Sequence, residues 1–498
     1  MISMVAIVNS ATNGFDGSMM NNFLSLPYYV SYFKLDTATL ALNNAIINVG
    51  GFVAFVYSGW IADKFGRRGG MGFGAGVTIV GVILQSAAVE EVMFCLGRFL
   101  IGNGMTITAV AAPSYIAEMA HPLYRGAGTS VYNSAWYIGS LIVGGITLGT
   151  VNIANTWSWR IPSILQLVPS ALCILFLFLI PESPRWLIQQ NRDEEALRVL
   201  VKYHADGDDT DPLVLAEFQE IKDTITYEKE QQRQTWKALI ATPGNRKRLW
   251  INFSVGFLGN FVGNNIASYY LVYILDGAGY RDSHSQLVIN TLLSLANLLC
   301  CVVGILSVDK IGRRFLFLAS TSALTVFIVI IGVLTKYYGG SNNVLISNGV
   351  SSPHSAGAKA TVAAVFLFMG SYSMAWTPLS VLYPVEVQGY SIRAKGMALN
   401  AGFVFSAAFI NGYIIPYAMD GIGWIFFIIT GAICAGMVVN IYFFFPETKN
   451  RTLEELDEVF DGEKHSDVPN LLEMTQLLRS EKSGSLEKSR SLLSDDDA

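Results

Sequence analysis

Long apolar runs alternate with short polar breaks along most of the chain. Each run is about 20 residues long, and at ~1.5 Å per residue that length crosses a hydrocarbon core of ~30 Å. The pattern therefore predicts an all-α membrane protein with about twelve transmembrane helices. The predicted spans are residues 1–22, 41–62, 70–89, 93–118, 125–150, 158–180, 249–275, 286–308, 314–337, 358–384, 393–418 and 420–445.

The least hydrophobic stretch, residues 181–248, separates two sets of six spans that repeat the same polar punctuation. Similar motifs recur in the same order and at similar offsets, which predicts two pseudo-symmetric six-helix bundles. The paired elements are Asp63-Lys-Phe-Gly-Arg-Arg68 with Asp309-Lys-Ile-Gly-Arg-Arg314, Glu118 and Arg125 with Glu386 and Arg393, and Pro181-Glu-Ser with Pro446-Glu-Thr.

This repeat divides the chain into four parts. Residues 1–180 and 249–445 are the two predicted bundles, and residues 181–248 form a linker with short helices. Residues 446–498 are a tail rich in Ser, Lys, Glu and Asp, for which we expect mostly disorder.

Composition indicates a membrane protein, and the placement of Lys and Arg indicates which loops face the cytosol. Of 498 residues, 52% are hydrophobic and 14% charged, whereas soluble domains carry about 25% charged residues. Lys and Arg gather in alternate loops, so we expect both termini and the linker in the cytosol, and an uncleaved first span. All five Cys lie in apolar runs, so no disulfide framework is predicted.

Two charged residues stand in the apolar spans where charge is costly. Asp16 lies in the first span and Arg98 near the start of the fourth, and helix rise places both in the outer half of the membrane. We expect a proton site in which Arg98 favours the ionised Asp16 and protonation releases the pair. The alternative is a static ion pair that only orients two helices. All five His lie in loops or the tail, so a histidine relay is not predicted.

Several spans carry polar or indole side chains that suit a polyhydroxylated ligand. On the seventh span Asn260, Asn264 and Asn265 would share one helix face with Ser268. On the fifth, Asn133 and Trp136 share a face with Tyr137 and Ser140. The remaining candidates for ligand binding are Asn297 and Trp376. The alternative is that these amides join helices to one another.

Four further residues are candidates for gating the substrate path. Tyr269 and Tyr270 follow the seventh-span amides, and Pro378 and Pro384 free backbone carbonyls of the tenth span. We expect these four to act in gating, with a fixed kink as the alternative for the prolines.

Charged residues cluster at the cytosolic ends of both halves. We expect two networks that hold the halves together when the cavity faces outward, with solvated interface charge as the alternative. Their members are Asp63, Arg67, Arg68, Glu118 and Arg125, and Asp309, Arg313, Arg314, Glu386 and Arg393.

These motifs together resemble the sugar porter family of the major facilitator superfamily over nearly the whole chain. The matching pieces are Gly59-x-x-x-Asp63-Lys-Phe-Gly-Arg-Arg68, Gly97-Arg98, Pro113-x-Tyr115-x-Ala-Glu118, Arg125-Gly126, Pro181-Glu-Ser-Pro-Arg185, Asp309-x-x-Gly-Arg-Arg314, Glu386 and Pro446-Glu-Thr448. The segments Asn13-Gly-Phe-Asp-Gly17 and Gly263-Asn-Asn-Ile-Ala-Ser-Tyr-Tyr270 are similar to the fungal lactose permease branch.

The resemblance implies alternating access, with sugar bound between the bundles near mid-membrane. It places Asp16 where proton-coupled members carry their carboxylate and Arg98 at its usual partner. Asn265 and Asn297 match the family's sugar site. Asn133 stands for a glutamine, Gly259-Asn260 for a glutamine pair and Val381 for a tryptophan, and these smaller side chains would suit a disaccharide.

The sequence thus predicts a proton-coupled symporter of the plasma membrane for a hexose or for a disaccharide such as lactose or cellobiose. We expect it to function as a monomer, without metal, cofactor, nucleic acid or enzymatic activity. The Gly-rich stretch 70–75 lacks the preceding strand that a dinucleotide site needs. The alternatives are a passive facilitator, disfavoured by Asp16, and a non-transporting sugar sensor.

Overall fold

The computed structural model describes residues 2–119, 125–204, 207–208, 211–231, 237–338, 356–388, 393–449 and 460, and for some residues within these helices only the backbone. The described chain is helical and contains no strand. The elements before the linker are α1 (Ile2–Leu24), α2 (Pro27–Phe33), α3 (Thr37–Ser86), α4 (Glu91–Met119), α5 (Arg125–Thr150), α6 (Trp157–Leu165) and α7 (Leu167–Leu177).

The linker and the second half follow in chain order. The linker holds α8 (Pro184–Gln189), α9 (Asp193–His204), α10 (Pro212–Gln231) and α11 (Ala238–Ala241). The second half holds α12 (Pro243–Gly256), a 3₁₀ turn (Leu258–Phe261), α13 (Asn264–Tyr269), α14 (Leu271–Gly277), α15 (Ser283–Ile311), α16 (Arg313–Tyr338), α17 (Ala356–Val387), α18 (Arg393–Ile422) and α19 (Trp424–Phe444).

Eight helical segments of the described chain are long and apolar enough to cross a membrane. One of them, α3, contains two of the predicted spans, which meet at Gly66, where φ is +82°. The other predicted spans are α1, α5 and a seventh segment that is broken. Glycines of the stretch 70–75 let α3 and α4 pack closely, because a Cβ on Gly74 would lie 2.6 Å from Thr108 Cγ2 of α4.

The seventh segment corrects the prediction of one continuous helix. It comprises α12, the 3₁₀ turn, α13 and α14, so Asn260, Asn264, Asn265 and Ser268 do not share one helix face. Glycine is a poor helix former, and Gly263 takes φ +93° at the start of α13. Side-chain amides donate hydrogen bonds to backbone carbonyls at this break. Asn260 Nδ2 donates to the Gly256 carbonyl at 2.7 Å and Asn411 Nδ2 to the Asn260 carbonyl at 2.8 Å.

The sixth span is also divided, into α6 and α7, with Gln166 at the junction. By contrast, α17 is one helix through Pro378 and Pro384.

The two halves meet along a few helices. The long α3 packs on α18, α5 packs on α15 and α17, and α1 packs on α13 and α14. The linker docks under the first half through buried His204 of α9. Its Nδ1 lies 2.7 Å from Glu217 Oε2 of α10, and its Nε2 lies 3.3 Å from the Met119 carbonyl at the end of α4.

Candidate functional site

Asp16 is fully buried on α1 and Arg98 is 1% exposed on α4. The predicted direct pair between them is absent from this conformation. Asp16 Oδ1 instead accepts a hydrogen bond from Gln166 Nε2 at the α6–α7 junction. Asp16 Oδ2 and the Nε and Nη1 atoms of Arg98 are buried without a hydrogen-bond partner among the described residues. The carboxylate therefore has an amide partner that the sequence analysis missed.

An amide chain continues from Asp16 into the first half. Gln85 Nε2 of α3 donates to Gln166 Oε1 at 3.2 Å and also lies 3.4 Å from Ser163 Oγ. Both glutamines are completely buried. A fixed amide that donates to a carboxylate favours its ionised form, so this chain influences when Asp16 binds a proton. A lone glutamine in the apolar sixth span was the available signal for Gln166.

The seventh-segment asparagines present unused oxygens. Asn264 Nδ2 donates to Asn265 Oδ1 at 3.2 Å, and Asn265 Nδ2 lies 3.4 Å from the Asn260 carbonyl. Asn264 Oδ1 and Asn297 Oδ1 of α15 are buried with no partner among the described residues. Buried acceptors without a donor are costly, and ligand hydroxyls would satisfy them.

The fifth span contributes contacts between the halves. Tyr137 Oη lies 2.7 Å from Ser373 Oγ and 3.0 Å from Thr377 Oγ1, both on α17. Ser140 Oγ lies 2.8 Å from Ser294 Oγ of α15. The hydroxyls expected to bind ligand thus bridge the two halves in this conformation.

The other two candidates of the fifth span are Trp136 and Asn133. The Trp136 ring packs against the backbone of α1, because a Cβ on Gly17 would lie 3.3 Å from its Cζ2. The side chain of Asn133 lies outside the described residues.

Trp376 does not offer its indole to a ligand here. It is 1% exposed, its Nε1 donates to Thr321 Oγ1 at 3.1 Å, and its ring packs edge-on against Phe317 of α16. A Cβ on Gly259 would lie 2.5 Å from Trp376 Cζ3. The ring therefore fills the space that the small residue at 259 leaves, contrary to the expectation of extra room for a larger sugar.

The two tyrosines among the gating candidates lie at the broken seventh segment. Tyr270 is completely buried, and its hydroxyl donates to the Gly412 carbonyl of α18 at 2.6 Å and faces Asn44 of α3. Tyr269 lies close enough to Arg98 to interact with it electrostatically across the halves.

The arginine motifs form one charged cluster in each half, and we call this side of the molecule the charged end. Arg67 Nη2 lies 3.1 Å from Glu118 Oε1, and Arg67 Nη1 lies 3.1 Å from Asp63 Oδ1. In the second half, Arg313 Nη2 lies 3.0 Å from Glu386 Oε1.

A second acid supports each cluster. Glu182 accepts the backbone N–H groups of Arg67 and Arg68, and burial raises its pKa while these donors and that of Ser183 oppose the rise. Glu447 accepts the backbone N–H groups of Arg313 and Arg314.

The expectation that these clusters hold the halves together when the cavity faces outward stays a prediction. The ion pairs just described each lie within one half, so each ties helices of its own bundle. The Arg314 guanidinium lies over the Tyr442 ring of α19, also in the second half. The side chains of Arg125, Asp309 and Arg393 lie outside the described residues.

Comparisons with known proteins agree with this arrangement. The family described as "Sugar (and other) transporter" matches residues 2–460. A high-affinity glucose transporter of Kluyveromyces lactis is 28% identical over 92% of this chain and 84% of its own length. The MFS glucose transporter mfs1 of Aspergillus flavus is 30% identical over 90% and 87%.

A solved structure shares the fold. The proton:xylose symporter XylE, bound to 6-bromo-6-deoxy-D-glucose, superposes with a TM-score of 0.75 at 20% identity, covering 92% of this chain and 98% of that chain. The protein belongs to the sugar transporter family of the major facilitator superfamily.

Proposed function

We propose that the protein is a proton-coupled sugar symporter that works by alternating access. The observation that carries the proposal is Asp16, a completely buried carboxylate on an apolar helix, held by an amide and without an ion pair among the described residues. Burying an ionisable group at that depth is costly, and such groups usually mark a functional site. XylE, which shares the fold, is a proton:xylose symporter.

The proposed proton step uses two partners for Asp16. Gln166 donates to Asp16 in both protonation states and stabilises the ionised one more, and ionised Asp16 also draws in Arg98, whose Nε and Nη1 have no partner among the described residues. Protonation releases Arg98, so α1, α4 and the α6–α7 junction take two arrangements. Alternating access needs such a two-state element.

The proposed sugar site lies where the unsatisfied oxygens of Asn264 and Asn297 meet the first half, and Asn133, Trp136, Asn260 and Asn265 complete the candidate set. Several relatives are named as glucose transporters, which favours a hexose. A disaccharide such as lactose or cellobiose, and with it the lactose permease-like branch, is the second candidate, supported by the small residue at 133. Trp376 contributes only in a conformation that moves its ring.

The proposed setting is the plasma membrane, with the charged end, both termini and the linker in the cytosol. Basic residues gather at that end, as the positive-inside rule expects. We propose that the monomer is the working unit, because one chain supplies both of the bundles that alternating access requires. Sugar, the proton and lipid are the proposed partners, without nucleic acid, metal or cofactor.

Uptake in a host that lacks its own sugar transporters tests this function. We expect cells expressing the protein to accumulate labelled glucose or a β-linked disaccharide above the external concentration, and a protonophore to abolish accumulation. Equilibration unaffected by the protonophore would indicate a passive facilitator. A sugar-dependent signal without entry of any sugar would indicate a sensor.

A further inference from the structure

Three asparagines join the two halves at the end opposite the charged end. Asn21 and Asn22 lie near the end of α1, and Asn290 lies near the start of α15. Asn21 Nδ2 donates to Asn290 Oδ1 at 3.1 Å, and Asn290 Nδ2 donates to Asn22 Oδ1 at 2.5 Å. The amide of Asn290 is thus held on both sides by the other half of the molecule.

The same cluster also holds the broken seventh segment. Because the helix is interrupted at Tyr270, the backbone N–H of Leu271 begins a new helix and lacks an intrahelical acceptor. Asn21 Oδ1 accepts that N–H at 3.2 Å. A side chain of the first half therefore caps α14 of the second half.

Burial strengthens the hydrogen bonds of these asparagines. Asn21 and Asn22 are 2% and 1% exposed, so water competes little for their amides. A second bond between the halves lies near the same end, from Thr37 Oγ1 of α3 to Asp420 Oδ2 of α18 at 2.7 Å. The two halves are therefore closed together at this end.

We propose that Asn21, Asn22 and Asn290 form a latch that keeps this end shut and must break whenever the substrate path opens there. The proposal rests on the alternating-access function proposed above and identifies residues that set its conformational equilibrium. Asn290 links the latch to the long α15, and Leu271 links it to the short α14. Release of the latch frees both elements from α1 together.

A buried amide elsewhere in the first half provides a matched control. Asn43 of α3 is completely buried, and its Nδ2 donates to Tyr29 Oη at 3.3 Å, within the same half. Asn43→Ala removes a buried amide of the same type without touching the boundary between the halves.

The test measures how often this end opens. A cysteine replaces Leu24, the last residue of α1, which is partly buried against the core of the second half beside the latch. Labelling by a membrane-impermeant maleimide from outside is followed in intact cells, with the rate of the parent lacking this cysteine subtracted. The measurement needs no sugar, so it separates failure of the latch from failure of the proposed transport activity.

We expect Asn290→Ala and Asn21→Ala each to raise the labelling rate by about fivefold, the factor for one buried hydrogen bond. Asn43→Ala should leave the rate unchanged. An unchanged rate in Asn290→Ala, or an equal rise in Asn43→Ala, would overturn the proposal, because the bonds would then be incidental or the effect a general loosening.

A cross-link covers the case in which the alanine variants fail to fold. The variant Asn22→Cys/Asn290→Cys should form a disulfide under oxidation that stops maleimide labelling at position 24 and sugar uptake. Reduction should restore both. Failure to cross-link, or labelling that continues at the uncross-linked rate after cross-linking, contradicts the latch.

Discussion

Glu182 and Glu447 occupy equivalent places in the two halves. Each carboxylate lies against a glycine of positive φ, Gly66 at +82° and Gly312 at +104°, and accepts the backbone N–H groups of the two arginines that follow. The hydroxyls of Ser183 and Thr448, next in sequence, donate to the Glu118 and Glu386 carboxylates. The two halves therefore repeat the same hydrogen bonds as well as the same sequence motifs.

This relationship predicts that both glycines are required for stability. A Cβ on Gly66 would lie 2.7 Å from the Glu182 carboxyl carbon, and a positive φ combined with an extended ψ, as at Gly66 and Gly312, costs about 1–3 kcal/mol for other residues. We expect Gly66→Ala and Gly312→Ala to lower the Tm of the detergent-purified protein by several degrees. Gly59→Ala is the control, because nothing lies within 4 Å of its Cβ position. Equal Tm values for all three variants would contradict the account.

The amide chain behind Asp16 predicts a change in pH dependence. Gln166→Leu removes the donor that favours the ionised carboxylate, so the proton is released less readily. We expect the alkaline limb of the pH profile of sugar uptake to move to higher pH, by about one unit for the loss of one charge-assisted hydrogen bond. Gln85→Leu, which acts only through Gln166, should move it in the same direction by less. A profile that keeps its position in Gln166→Leu would show that this amide only packs.

The contact between Gly259 and Trp376 predicts a coupled pair. Gly259→Ala forces the buried ring away from Thr321, so we expect a lower Tm of the detergent-purified protein. Trp376→Phe shortens the ring, and in the Gly259→Ala background it should recover part of the loss, giving a non-additive double-mutant cycle. Gly436→Ala is a control in open space. Additive effects would mean that the two positions act independently.

Sugar binding and structural support are separable among the asparagines. The side-chain oxygens of Asn264 and Asn297 have no partner among the described residues, whereas Asn411 holds the Asn260 carbonyl at the helix break. We expect Asn297→Ala to raise KM at least tenfold with little change in Tm, and Asn411→Ala to lower Tm. A large loss of Tm in Asn297→Ala would instead assign that residue to the packing of α15.

The paired arginine motifs were enough to predict two bundles and the acids that each arginine contacts within its own half. These contacts join residues far apart in sequence, 51 positions from Arg67 to Glu118 and 73 from Arg313 to Glu386, so they were predictable because the same residue types recur in both halves. The break in the seventh segment was not predicted, since Asn411 and Gly263 act together only after folding brings α18 to α13.

The partner of Asp16 was missed for a related reason. Arg98 was chosen because charges attract, but desolvated carboxylates also accept neutral amides, and Gln166 lies on a distant part of the sequence. Contacts between the halves, such as those of Asn21 and Tyr137, depend on one conformation among several, which periodicity does not specify.

Sugar-elicited alkalinisation of the external medium tests the central claim most directly. It should be measured in cells expressing the wild type or Asp16→Asn, for glucose and for β-linked disaccharides, together with sugar counterflow. We predict alkalinisation with at least one sugar in the wild type, its loss in Asp16→Asn, and counterflow in both, because asparagine is neutral like protonated aspartate. Sugar entry into wild-type cells without any proton signal would contradict the account.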